Sequence, residues 1–182
     1  MENWSQTQRD DFKDLSTVMV KMEESFQKCA LVLSTEIEKN SKRGTSTKII
    51  LITLGALVAT KGIIDQLMIG YKPNTIANQI VLIIFTLIGL IISIVASLET
   101  AFKYAEKAAG LRILSAQVQT NIRKGEVNKA ISYHNAEFKE AMDGLKKGII
   151  EQNDKLSEIY DKAASFGIDL ASKQISLEIH NH

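Results

Sequence analysis

Hydrophobic and polar positions fall into three regimes along this chain. From Phe12 to Leu33 apolar residues recur at alternating spacings of three and four, at Phe12, Leu15, Met19, Met22, Phe26, Cys29 and Leu33. Charged side chains such as Lys13, Glu23, Glu24 and Lys28 fill the other faces, which is the heptad seam of an amphipathic helix. From Ile49 the periodicity gives way to two blocks nearly free of charge. Beyond them the alternation returns at Leu111, Leu114, Val118 and Ile122, in a helix expected to end at Gly125. It then runs from Ile131 through Asn135, Phe138, Met142, Leu145, Ile149, Gln152, Leu156, Ile159, Ala163 and Phe166 to Leu170, with Asn135 and Gln152 as polar exceptions. Each stripe is apolar on one side only, so each predicts packing against another helix, of the same chain or of a second copy.

The two uncharged blocks read as membrane spans. Between Pro73 and Leu98 there is no charged residue, and the run through Ile80, Val81, Leu82, Ile83, Ile84 and Phe85 to Val95 can cross about 30 Å of hydrocarbon at about 1.5 Å per residue. The first block is apolar from Ile49 to Thr60 and is then interrupted by Lys61 and Asp65. These two lie one helical turn apart and can neutralise each other. The segment from Tyr71 to Thr75 holds the chain's only proline and leaves room for nothing but a direct reversal. The expected fold is therefore an all-α membrane protein. It comprises an N-terminal amphipathic cytoplasmic helix over 1–47, a two-span transmembrane hairpin over 48–99 with spans at about 49–70 and 77–98, and a C-terminal cytoplasmic helical region over 100–182. Lys39, Lys42, Arg43 and Lys48 precede the first span, and Lys103, Lys107 and Arg112 follow the second, against a lone Lys72 in the turn. That bias predicts both termini in the cytoplasm.

Composition narrows the function classes. Hydrophobic residues make up 45% of the chain, and 22 basic against 21 acidic residues leave a formal charge of +1, which argues against a nucleic-acid partner. A single cysteine, Cys29, permits neither an intramolecular disulfide nor a thiolate cluster, and reads as a small seam residue. His134 reads as a helix-surface residue, and His180 and His182 belong to the tail. No nucleophile–base set, phosphate loop or metal-ligand spacing occurs, so neither an enzyme nor a cofactor is expected. The first 40 or so residues lack the pattern of a cleavable signal, which leaves the first apolar block as the insertion signal.

The faces of the spans carry the functional expectation. In the second span Gln79, Thr86, Ser93 and Thr100 repeat every seven residues, with Gly89, Ala96 and Ser97 beside them. The opposite side, Val81, Ile84, Ile88, Ile91, Ile92 and Val95, suits lipid. A stripe of small and hydroxyl residues serves helix packing or the wall of a narrow aqueous path. As a pore, Gln79, Thr86, Ser93 and Ser97 form polar rings, and Ile83 and Leu90 form apolar rings that gate by dewetting. In the first span Gly55, Ala59 and Gly62 make a small-residue packing side, as Gly89 does in the second, while Lys61 and Asp65 lie roughly opposite. An ionisable group costs roughly 2.5–3.5 kcal/mol at the centre of a span, so it normally faces protein or water. One partner helix cannot cover both sides. A homo-oligomer of three to six subunits in membrane lipid, most simply a tetramer, is expected.

This layout resembles the SLATT family, two-transmembrane effector modules of bacterial nucleotide-signalling conflict systems. The resemblance rests on the leading helix, the close hairpin, and the exit stretch from Phe102 through Lys103, Tyr104, Ala105, Glu106, Lys107, Ala108, Ala109 and Gly110 to Leu111 with its downstream helix. It implies a pore-forming effector of the bacterial inner membrane, opened when a separate sensor or signalling protein acts. A calcium-uniporter-like filter is excluded, because the second span opens on Asn74, Thr75, Ile76, Ala77, Asn78 and Gln79 without a carboxylate. A potassium-type filter is excluded by the shortness of the turn. The reading is an oligomeric pore or ion channel; the alternative is a non-conducting membrane scaffold that recruits partners through its cytoplasmic helices.

Overall fold

A computed structural model of the chain describes residues 4–68, 76–135 and 137–174, with side chains at 4–61, 79–135 and 137–174. Every described element is helical: α1 (Gln6–Met68), α2 (Ile76–Phe102), α3 (Tyr104–His134) and α4 (Phe138–Ser165), followed by one short helical stretch over 170–174. The all-α expectation holds. The chain divides into two compact units, one of Met1–Ile37 with Ala109–His182, the other of Glu38–Ala108. Most of the first and last regions read from the sequence thus join in one unit, while 38–47 and 100–108 group with the apolar blocks.

The start of α1 is fixed by a reciprocal cap. The Gln8 backbone N–H donates to Ser5 Oγ at 3.3 Å, and the Ser5 N–H donates to Gln8 Oε1 at 2.9 Å. Two donors that the first turn would leave open are satisfied together. From there α1 runs 63 residues without a break. Its predicted seam faces inward: Phe12, Met19, Phe26, Cys29 and Leu33 are buried, and Leu15 and Met22 are half-buried.

In the larger unit this seam meets α3 and α4. Phe26, Cys29, Val32 and Leu33 share one cluster with Leu111, Leu114, Val118 and Ile122 of α3 and Ile159 and Ala163 of α4. A second cluster at the other end joins Trp4 and Phe12 to Ala141 and Leu145. There Trp4 meets Phe12 and Phe138 edge-on, each with ring centroids 5.2 Å apart, and Phe12 meets Tyr133 at 5.1 Å. Edge-to-face geometry sets each ring's positive rim against its neighbour's negative face.

Two expectations are corrected. Gly125 does not end α3, which continues to His134. A Cβ at Gly125 would lie 3.4 Å from Gln152 Nε2, and that amide donates to the Asn121 carbonyl at 3.0 Å. The glycine therefore marks a close approach of α4, and Gln152, the polar exception in the seam, is buried because it has this acceptor. Ile131 does not belong to the seam either. It is 61% exposed, because it stands on the side of α3 opposite Leu111, Leu114, Val118 and Ile122, and the inward stripe resumes at Phe138 and Ala141 on α4.

Helix α4 ends in a Schellman turn. Gly167 takes φ 70, the Ile168 N–H donates to the Ala163 carbonyl at 3.0 Å, and the Gly167 N–H donates to that of Ala164 at 2.7 Å. Buried Ile168 closes over buried Ala163, the apolar contact that accompanies this turn. The reversal lays Phe166 over Gly110 of α3, where an added Cβ would stand 2.4 Å from the ring. Further along, Gln174 Nε2 donates to Cys29 Sγ at 3.0 Å, and Tyr160 Oη donates to Gln174 Oε1 at 3.0 Å.

In the smaller unit, α1 passes the predicted 47/48 boundary uninterrupted, and Gly44 is buried against Tyr104 and Ala105. Between α2 and α3 a single residue, Lys103, takes φ 44, the left-handed region that costs a side chain-bearing residue roughly 1–2 kcal/mol. Backbone bonds still bridge it, from Lys103 N–H to the Glu99 carbonyl and from Lys107 N–H to that of Lys103.

Gly110→Ala is expected to lower stability by about 1–3 kcal/mol through overpacking against Phe166; equilibrium denaturation followed by circular dichroism measures it. Burial pushes the Cys29 thiol above its ordinary value of 9.0. The folded protein keeps the proton where the unfolded chain loses it, so this contribution is constant below pH 9 and falls as pH rises through 9 and past the raised value. Denaturation midpoints from pH 7 upward should decline less steeply in Cys29→Ala than in the unsubstituted protein.

Candidate functional site

Helix α2 carries a stretch long and apolar enough to cross a membrane, with mean hydropathy 3.0 over eighteen residues and none of it buried within the protein. Its side chains sort by a three-four alternation. Val81, Phe85, Ile88, Ile92, Val95 and Glu99 are half-buried, whereas Gln79, Ile83, Thr86, Leu90, Ser93 and Ser97 are exposed. The six residues expected to line a pore thus share one open side of the helix. Four of the six residues expected to face lipid do otherwise: Val81, Ile88, Ile92 and Val95 are partly covered, and only Ile84 and Ile91 stand open. A polarity wheel separates polar from apolar residues, but it cannot divide an apolar arc between protein and lipid.

On α1 the corresponding half-buried positions are Thr47, Leu51, Leu54 and Lys61. Lys61 Nζ sits 5.8 Å from the centroid of the Phe85 ring, and the Arg43 guanidinium sits 5.9 Å from that of Tyr104. An aromatic face offers a cation partial compensation, worth more where water is scarce. Phe85 was not among the residues singled out from sequence. Its signal was available, since Val81, Phe85, Ile88, Ile92, Val95 and Glu99 form a heptad of their own. The side chains of Asp65 and Gly62, and the turn from Tyr71 to Thr75, lie outside the described residues. The first span of 49–70 extends into that region.

The small residues face open space. Gly55 and Gly89 have nothing within 4 Å of where a Cβ would stand, and Ala59 is exposed. Among the described residues Gly55 and Gly89 serve no close helix approach. Three hydroxyls of the polar stripe are bonded to their own helix: Thr86 Oγ1 donates to the Leu82 carbonyl at 2.8 Å, Ser97 Oγ to that of Ser93 at 2.7 Å, and Thr100 Oγ1 to that of Ala96 at 2.9 Å. Such back-bonding satisfies the donor and leaves the oxygen's two lone pairs able to accept. Near the end of α2, Glu99 Oε2 is shut off from solvent and accepts no hydrogen bond among the described residues. The described residues contain no group of three or more His, Cys, Asp or Glu side chains able to hold a metal ion.

No protein-family model, curated protein or solved structure matches this chain.

Because their donors already bond within the helix, Thr86→Ala and Ser97→Ala are expected to change stability by less than about 0.5 kcal/mol. Thermal unfolding of the purified protein in detergent tests this. A loss of several kcal/mol would mean that these hydroxyls hold another chain.

Proposed function

We propose that the chain is an integral membrane protein whose apolar helices cross the bilayer as a hairpin, both termini in the cytoplasm, and that several copies assemble into a pore lined by α2. One observation carries the reading. The covered side of α2 is Val81, Phe85, Ile88, Ile92 and Val95, while the stripe of Gln79, Thr86, Ser93 and Ser97 is left exposed. Amide and hydroxyl groups in hydrocarbon are unfavourable, so this side belongs against water or another chain. Gly55, Ala59 and Gly89 are equally open and would admit a neighbouring helix at close range. In this arrangement Lys61 is screened by Phe85 and does not line the path. Ile83, 58% exposed, and Leu90, 58% exposed, occupy the same side and supply apolar rings between the polar ones. Following the resemblance in sequence layout, the pore is opened, in this proposal, by a separate signalling protein.

A second reading, a non-conducting scaffold, is favoured by the self-bonded hydroxyls of Thr86 and Ser97, which need no water column.

Recordings from purified protein in planar bilayers decide between them. A pore gives discrete current steps, and Ser93→Leu, which puts a bulky apolar side chain into the narrow path, reduces their size severalfold. Silent bilayers containing demonstrably oligomeric protein would leave the scaffold.

A further inference from the structure

The charge of the smaller unit is gathered at one height. Between Glu38 and Lys48 on α1, and between Glu99 and Lys107 across the junction of α2 and α3, stand six basic and three acidic side chains, in a chain whose total is only +1. Gly44 fixes the level, since a Cβ there would lie 3.4 Å from the Ala105 backbone nitrogen. From that crossing the apolar stretch of α1 begins five residues on, at Ile49, and that of α2 ends six residues back from Tyr104, at Leu98. At about 1.5 Å per residue both edges lie roughly 8 Å away. The headgroup layer of a bilayer is roughly 5–8 Å deep on each face, so the charged band falls at that layer when the apolar helices span. Within the band the cations divide. Lys42 pairs with Glu38 at 2.6 Å and Lys103 with Glu106 at 3.3 Å. Lys39, Arg43, Lys48 and Lys107 form no ion pair among the described residues. Three of these four gather around one ring. Arg43 lies over Tyr104, 5.9 Å from its centroid. Lys39 stands one turn from Arg43 on α1, and Lys107 one turn from Tyr104 on α3. The guanidinium is held by the ring, and its N–H groups donate to no acceptor among the described residues. Phe102, 55% exposed, stacks on Tyr104 at 5.5 Å and adds apolar surface beside the cations.

We propose that Lys39, Arg43 and Lys107, set around Tyr104, bind the phosphate of an anionic phospholipid in the cytoplasmic leaflet. A guanidinium presents paired N–H donors that match two phosphate oxygens, and two ammonium groups beside it add charge without competing for that geometry. The same three cations repel the ammonium of a zwitterionic headgroup, so the site selects lipids that lack one. Basic side chains at the cytoplasmic edge of a span are each worth about fivefold in affinity for an anionic surface. The occupant is a lipid rather than a dissolved phosphate because exposed cations hold a free anion weakly in salt. A bilayer instead delivers the headgroup to this height at high local concentration, with Phe102 placed as an interfacial aromatic beside it. The inference rests on the membrane insertion proposed above and is independent of whether the assembly conducts.

The full chain in detergent is offered equal amounts of phosphatidylglycerol and phosphatidylcholine with identical acyl chains, and retained lipid is identified by native mass spectrometry. Phosphatidylglycerol is expected to be retained at least about tenfold over phosphatidylcholine. Arg43→Gln with Lys107→Gln cuts that preference about tenfold or more. Lys42→Gln with Lys103→Gln removes the same formal charge from cations that already have carboxylate partners, and leaves the preference within about twofold. Equal losses in the two double variants would overturn the site in favour of bulk charge. Displacement of the lipid by millimolar inorganic phosphate, at an ionic strength matched with sodium chloride, would overturn the lipid as its occupant. Protein that needs detergent yet retains both lipids equally ends this site and leaves the membrane reading standing. Protein that stays dissolved without detergent and retains neither lipid ends both.

Discussion

Phe26 and Leu33 of α1 and Leu111, Leu114 and Val118 of α3 exclude water from a shared volume, and the larger unit is organised around keeping it dry. Each such side chain is worth roughly 1.5–3 kcal/mol when fully buried. None can be buried locally, because an apolar stripe on a helix is covered only by a different helix. The polar contacts follow the seam's edges. Ser16 bonds Tyr133, Glu23 meets Lys129 at 3.4 Å, and Glu36 pairs with Lys173. These contacts lie at successive heights of the bundle and fix the register of the helices, while the apolar volume supplies the driving force. Gln152 does the same from inside, since its amide reaches an acceptor only where Asn121 stands opposite.

Helix existence and inward faces were legible wherever the pattern was one-sided. The stripe from Phe12 to Leu33 faces the core as its spacing predicts, because charged neighbours leave only one arc to bury, and that from Leu111 to Ile122 does so although Ile113 and Ala116 stand on the opposite arc. Legibility failed where both arcs were apolar. On α2, Val81, Ile88, Ile92 and Val95 looked like lipid-facing residues, and only coordinates separate a covered isoleucine from an open one. On α3, Ile131 extended a numerical pattern across a break, and it stands outside because it lies opposite the inward stripe. Two glycines carried opposite meanings with the same letter. Gly125, read as a helix end, admits a neighbouring amide, whereas Gly167, which does end a helix, was not singled out. The signal at Gly167 was the apolar pair Ala163 and Ile168 around it.

The smaller unit shows how an apolar sequence can hold polar groups without exposing their donors. Threonine and serine hydroxyls bond back to the carbonyl one turn earlier, and Lys61 lies over an aromatic ring. Each device lowers the cost of polarity in a low-dielectric setting while leaving the side chain's outer surface available. The sequence shows that these residues exist and repeat every seven positions. It does not show that their donors are already occupied, and that detail decides how strongly they call for water or for a second helix.

The contact between Cys29 and Gln174 joins residues 145 positions apart, and the Ser16–Tyr133 contact spans 117. A ribosome adding about 5–20 residues per second needs on the order of ten seconds to make the second partner after the first. Until Leu111 to Ile122 have been made, the stripe from Phe12 to Leu33 has no α3 to cover it, and α4 comes later still. A nascent chain with a bare amphipathic helix ahead of two greasy segments is an aggregation hazard. That order of synthesis favours shelter of the helix, by a chaperone or a neighbouring nascent copy, until α3 and α4 have been made.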